Sequence, residues 1–170
     1  GAQKQLDALG YTEHSVRHVS IVSNRAGRIL ETLGYDKHRV ELAKIAGLIH
    51  DIGNTVNRSG HAHNGALLAF SLLKEREFPT DEVIAVTTAI GHHDEKTAAP
   101  VTPLAAALIL ADKSDVRASR VRNKNDIYTD IHDRVNYAVT ESNLTVIKER
   151  RLIILELEID TYICPVMEYF

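Results

Sequence analysis

Seven side chains of the 170-residue chain share one setting: His18, His50, Asp51, His61, His92, His93 and Asp112 fall on segments otherwise rich in Ala, Val, Ile and Leu. Imidazole and carboxylate are the ligands that borderline and hard divalent metals accept, and a carboxylate can bridge two ions. Ions held in this way present hydroxide near neutral pH, the usual nucleophile of metal-assisted hydrolysis. Taken singly, His61 or His92 reads as a histidine satisfied by neighbouring carbonyls. Taken together, so many polar groups in apolar surroundings would be costly unless something paired them.

The elements that must position these groups are helical. Thr12 can cap a helix running to about Leu33, since Val19, Val22, Ala26, Ile29, Leu30 and Leu33 recur at three- and four-residue steps and Gly34 follows as a stop. It carries His14 and His18 one turn apart. Asp36 can cap a second helix through Val40, Ala43, Ala46 and Leu48 that ends at Gly53, with His50 and Asp51 in its last turn and pointing inward. A polar loop over residues 54–60 leads to a helix over residues 62–75, with His61 and His63 at its entry. Pro79-Thr80-Asp81-Glu82 opens a further helix that ends at His92-His93. Thr102, followed by Pro103 where a missing donor costs nothing, opens the helix that carries Asp112.

The last third changes character. Ile127 and Ile131 suit a short helix, whereas Ile153, Leu155, Leu157 and Ile159 alternate with Ile154, Glu156, Glu158 and Asp160 in the two-residue period of a half-buried strand. Residues 136–140 and 144–147 are expected as antiparallel neighbours, with turns at 141–143 and at Glu149-Arg150. Tyr162, Ile163, Val166, Met167 and Phe170 should begin an amphipathic helix, with an apolar face open to a homodimer or to the chain's own core. The expected organisation is mainly α: a helical core over residues 1–125, and over residues 126–170 a short helix, a β-hairpin or meander and the start of a C-terminal helix, packed on the same domain.

These motifs resemble the HD domain, the family of metal-dependent phosphohydrolases named for a His-Asp pair ending a helix. The resemblance covers residues 11–123: the run His18, Val22, Ala26, Ile29, Leu33-Gly34 matches the family's opening histidine and the helix after it, Leu48-Ile49-His50-Asp51-Ile52-Gly53 its central motif, and Ile109-Leu110-Ala111-Asp112 its final aspartate. It implies a helical bundle in which His18, His50, Asp51 and Asp112 hold one ion. His61 before Gly65-Ala66, together with His92-His93, is similar to the additional ligands of two-metal members. The implied second site is therefore Asp51, His61, His92 and His93, with Asp51 as the bridging, catalytic carboxylate. His14 stands at an offset where some three-metal relatives carry glutamate, which places it toward a third ion or the substrate cleft. Asn54 replaces a lysine common after Ile-Gly, and no Gly-Tyr-Pro follows His92-His93-Asp94.

Composition narrows the partners. Twenty Lys and Arg against twenty-three Asp and Glu give a net charge of -3, with no basic excess to bind a nucleic-acid duplex or an anionic membrane surface. No apolar run reaches the length of a membrane span, and the single cysteine excludes an intramolecular disulfide, in keeping with a cytoplasmic setting. Lys113 and Arg117 lie beyond Asp112 where a cationic edge could meet phosphate oxygens. The expected activity is hydrolysis of a nucleotide or other small phosphate ester by a dinuclear metal-bound hydroxide, with two divalent ions, iron or manganese ahead of magnesium, nickel, cobalt or zinc. The alternatives are an HD-type di-iron oxygenase and a ligand-binding or interaction module with a structural metal.

Overall fold

The computed structural model describes residues 16–94, 98–121 and 131–169. Six α-helices and one two-stranded sheet are present among the described residues: α1 (Val16–Leu33), α2 (Lys37–Ile49), α3 (His61–Glu75), α4 (Thr80–Gly91), α5 (Pro103–Lys113), α6 (Ile131–Ala138), β1 (Val139–Ile147) and β2 (Leu152–Ile159). The fold is mainly helical, as the periodicity predicts. Of the caps read from the sequence, those at Asp36 and Thr102 are made, whereas the helix that begins at Thr80 has no side-chain cap. Asp36 accepts from the Arg39 amide at 2.9 Å and Thr102 from the Ala105 amide at 3.0 Å. The expected start of α1 at Thr12 and the residues His14 and Ile127 lie outside the described residues. No helix among the described residues is long and apolar enough to cross a membrane.

The core is built from small side chains, which lets the helices approach closely. Val22, Ala26 and Leu30 of α1 pack with Ala43 and Ala46 of α2, Ala69 of α3, Val86 and Ile90 of α4, and Leu108 and Ala111 of α5. Gly47 of α2 lies directly against the Ser23 backbone, where a Cβ would come within 2.6 Å of the Ser23 Cα. Any larger residue there would push α2 off α1, and with it His50 away from His18.

Three expectations in the second half of the chain are corrected. Residues 136–138 belong to α6, and residues 141–143 lie inside one continuous strand, with a register irregularity between Val139 and Glu141 instead of a turn. Tertiary partners hold that segment extended: the Ser142 carbonyl accepts from Arg25 Nη2 at 2.8 Å, and the Ser142 hydroxyl donates to the Ser114 carbonyl. The sheet is thus a hairpin, closed at residues 148–150 as expected, with Leu144 opposite Leu155 and Val146 opposite Ile153. Leu144 and Val146 pack against the helical core, whereas Ile153 and Leu155 remain 42% and 43% exposed, so the alternation marks a strand only partly covered. Finally, no α-helix starts at Tyr162. Pro165 has no amide to continue one, and only a 3-10 turn, Val166–Tyr169, forms.

Candidate metal centre

The α2 helix stops at Ile49, one residue before the His-Asp pair, and the chain tightens into a 3-10 turn, His50–Thr55. This differs from the expected last α-helical turn, and packing supplies the reason. Gly53 meets the start of α3 backbone to backbone: a Cβ on it would collide with the His61 carbonyl oxygen and stand 2.5 Å from the Gly65 nitrogen. The close approach brings His50 and Asp51 beside His61. His18 and His50 are fully buried, and Asp51, His61, His93 and Asp112 are each at most 8% exposed.

Four imidazoles stack edge to face in a row, His18–His50–His93–His61, with ring centroids 5.0–5.2 Å apart. Each places Nδ1 against an acceptor on its own side of the protein. His50 Nδ1 lies 2.9 Å from the Gly47 carbonyl, His93 Nδ1 2.6 Å from that of Ile90, His61 Nδ1 3.1 Å from that of Arg58, and His18 Nδ1 2.7 Å from the Asp115 carboxylate. An acceptor there fixes the proton on Nδ1 and leaves the Nε2 lone pair facing inward, the arrangement of a metal-ligating histidine.

What the Nε2 atoms face is acidic. His18 Nε2 stands 3.3 Å from Asp112 and 3.7 Å from Asp51, and His50 Nε2 stands 3.3 Å from Asp51 and 3.7 Å from Asp112. Asp51 turns its other oxygen to His61 Nε2 at 3.6 Å, so one carboxylate touches both halves of the row. Two groups of donors result, His18 with His50 and Asp112, and His50 with Asp51 and His93, each able to converge on one cation. His61 Nε2 and His93 Nε2 lie 3.2 Å apart. Two inward lone pairs at that distance need a cation or a proton between them.

The donor set therefore fits a divalent metal. Buried His50 Nε2 has no hydrogen-bond partner among the described residues, although two carboxylates lie close by, so its geometry suits a coordinate bond better than a hydrogen bond. Electrostatics shows the demand for positive charge. Burial opposes protonation of His50, but Asp51 and Asp112 outweigh it and raise its pKa to about 10. Burial likewise works against the Asp112 carboxylate, yet His18, His50 and Lys113 hold it well below the usual range. His93 behaves oppositely: burial, and then the charge of His50, lower it to about 4, which keeps it a neutral donor. Burial and the neighbouring Arg58 also lower His61.

Not every expected residue joins this cluster. His61 lies outside both donor groups, although its Nε2 is 3.6 Å from Asp51 and 3.2 Å from His93 Nε2, and His92 is half-buried and also outside them, with Nδ1 2.8 Å from the Thr88 carbonyl. Lys113 lies at the rim, its ammonium 3.0 Å from Asp112 Oδ2. The Arg117 guanidinium rests on Asp115, behind the His18 ring. His63 is exposed, and His38 pairs at the surface with Glu82.

Three residues that the sequence did not single out as site residues take part. Asn54 donates to Asp51 Oδ1 at 2.8 Å and so orients the shared carboxylate. Arg58 Nη1 lies 3.2 Å from His61 Nε2. Asp115, 1% exposed, supports His18. The spacing of Asp115, three residues past Asp112, was the available signal.

Known proteins resemble this chain. The HD domain family model matches residues 13–117. Ribonuclease Y of Lawsonia intracellularis is 37% identical over 108 residues, 62% of this chain and 18% of that protein. Ribonuclease Y of Opitutus terrae is 34% identical over 105 residues, 60% of this chain and 18% of that protein. An uncharacterised protein of Methanocaldococcus jannaschii is 26% identical over 135 residues, 67% of this chain and 52% of its own length. The chain thus spans about half of one curated relative and under a fifth of the two others. No solved structure gives a significant match.

Proposed function

Because the chain belongs to the HD domain family, we propose that it is a metal-dependent phosphohydrolase whose substrate is a nucleotide or other small phosphate ester. The observation that carries this reading is the inward convergence of histidine Nε2 atoms on two buried carboxylates, Asp51 and Asp112. Divalent ions, iron or manganese first, would supply a water made nucleophilic at neutral pH and neutralise charge on the phosphoryl oxygens. His18, His50, Asp51 and Asp112 would hold one. Asp51, His61 and His93 would hold the other, with His92 at its edge.

The chain's own residues set the rest. Asn54 holds Asp51 in the orientation that serves both halves of the site. Lys113, at the rim and 37% exposed in its side chain, is the group placed to meet a phosphate oxygen arriving from solvent. The relatives named ribonuclease Y support a nucleotide phosphate ester as the substrate class. The reading is tested by loading the full chain with Mn2+ or Fe2+ and assaying nucleoside mono- and triphosphates, cyclic nucleotides and short single-stranded RNA. Hydrolysis of at least one, abolished by chelation, is expected. Metal binding without turnover of any ester would overturn it, and substrate-dependent oxygen uptake by the iron form would assign the oxygenase chemistry instead.

A further inference from the structure

We propose that Asp115 is a positioning residue for the metal centre and that Arg117 is its clamp, not a substrate contact: Arg117 fixes Asp115, and Asp115 fixes the ring of His18. The inference rests on the metal reading above. The imidazole of His18 is engaged on both sides. Nε2 of His18 faces Asp112 and Asp51, whereas Nδ1 lies 2.7 Å from Asp115 Oδ2 on the opposite side. A carboxylate at Nδ1 holds the proton there, which determines both the tautomer and the rotation of the ring about its χ2 bond.

Asp115 is itself held at several points. Arg117 donates to it twice, Nε to Oδ1 at 2.8 Å and Nη2 to Oδ2 at 3.2 Å, the paired geometry that guanidinium offers and ammonium does not. Arg117 is in turn anchored by Nη1 to Ser119 Oγ at 2.6 Å. The Asp115 amide donates to the Asp112 carbonyl at 3.1 Å, so one tight turn carries both the ligand Asp112 and the support of His18. Arg25 pins that turn by donating to the carbonyl and hydroxyl of Ser114 while also holding Ser142 of the hairpin. The α1 helix, the end of α5 and strand β1 therefore meet at the back of His18.

This placement separates the two uses of Arg117. To contact a phosphate at the metals it would have to release Asp115 and pass to the other side of the His18 ring. A 13% exposed guanidinium bonded to a buried carboxylate has little freedom to do so.

The test uses the full chain, stripped of metal, with Mn2+ alone as probe and no substrate. Isothermal titration should show Asp115→Asn binding Mn2+ roughly 10–100-fold more weakly than wild type, the usual cost of removing a support behind a ligating histidine. Arg117→Met should also weaken binding, and Arg117→Lys should recover part of the loss. Ring nitrogen shifts from long-range proton–nitrogen spectra of the metal-free protein give a readout that general destabilisation would not imitate. In Asp115→Asn the Nδ1-protonated signature of His18 should be lost while that of His93, held by the Ile90 carbonyl, is kept. Loss of both signatures together, or Mn2+ affinity within about twofold of wild type in Asp115→Asn, overturns the proposal. Arg117→Met that keeps full Mn2+ affinity and only raises KM for an ester overturns it in favour of a substrate contact. Wild type that binds no Mn2+ defeats the metal reading itself, an outcome distinct from intact binding that Asp115→Asn leaves unchanged.

Discussion

Alanine at position 53 should part the seam on which the metal centre is assembled. The added methyl would collide with the His61 carbonyl oxygen and lie 2.5 Å from the Gly65 nitrogen, short of ordinary contact at 3.4 Å by most of an ångström. Both obstacles are backbone atoms of α3, so no rotamer change relieves the clash and the His50–Thr55 turn must back away. Overpacking of this kind costs about 1–3 kcal/mol. In a chain of this length each kcal/mol moves Tm by about 2–4 °C, so Gly53→Ala should melt roughly 2–12 °C below wild type in metal-free calorimetry. The shift has a direction: it draws Asp51 from His61, now 3.6 Å away, while leaving the 3.3 Å approach of His18 to Asp112, made between α1 and α5. Because the same turn carries His50, which belongs with His18 and Asp112, Mn2+ titration should show both sides weakened, the His61/His93 side by about tenfold or more. A Gly53→Ala protein that melts within about 1 °C of wild type and binds Mn2+ identically would refute the argument that this contact sets the geometry.

Other perturbations address separate parts of the site. Asp51→Ala should lose metal and phosphohydrolase activity by more than the roughly 10–100-fold that loss of a supporting residue costs, with an unchanged far-ultraviolet circular dichroism spectrum; retained activity would remove Asp51 from its bridging role. The metal-free protein should be most stable near pH 6.5 for two reasons of opposite sign. His50, raised to about 10 against burial by Asp51 and Asp112, contributes stability that is complete below pH 6.5 and lost as pH climbs toward 10, at up to about 1.4 kcal/mol per pH unit. His93, lowered to about 4 by burial and by His50, makes stability fall as pH drops from 6.5 toward 4, because the unfolded chain takes up the proton first. Melting curves from pH 4 to 10 check both, and His50→Gln should flatten the alkaline limb and, by removing the charge that helps to lower His93, soften the acid limb as well. Metal at 100 times its Kd should add about 2.7 kcal/mol, visible as a rise in Tm that a chelator reverses. His92→Ala should cost less metal affinity than His93→Ala, since His92 lies outside both donor groups.

The helices and the ligand types were legible because each rests on a local signal. The three- and four-residue spacing of Val22, Ala26, Ile29 and Leu30 and the caps at Asp36 and Thr102 need no knowledge of the rest of the chain. The site's architecture was less legible because it depends on contacts between distant segments. Gly53 reads as a helix stop, yet its role is to admit the backbone of α3, and that contact ends α2 early in a 3-10 turn. The residues at 141–143 have turn chemistry but are held extended by Arg25 and Ser114, more than two dozen positions away. Asp115 and Arg117 show the same limit most clearly: in sequence they are polar residues beyond a helix end, on the face that carries the expected cationic edge for phosphate. Only the 97-residue separation between His18 and Asp115, closed to 2.7 Å in the fold, turns that face into the back wall of the metal centre. Ligand type is a property of a residue, whereas the choice of which nitrogen a histidine offers belongs to whatever the fold places behind it.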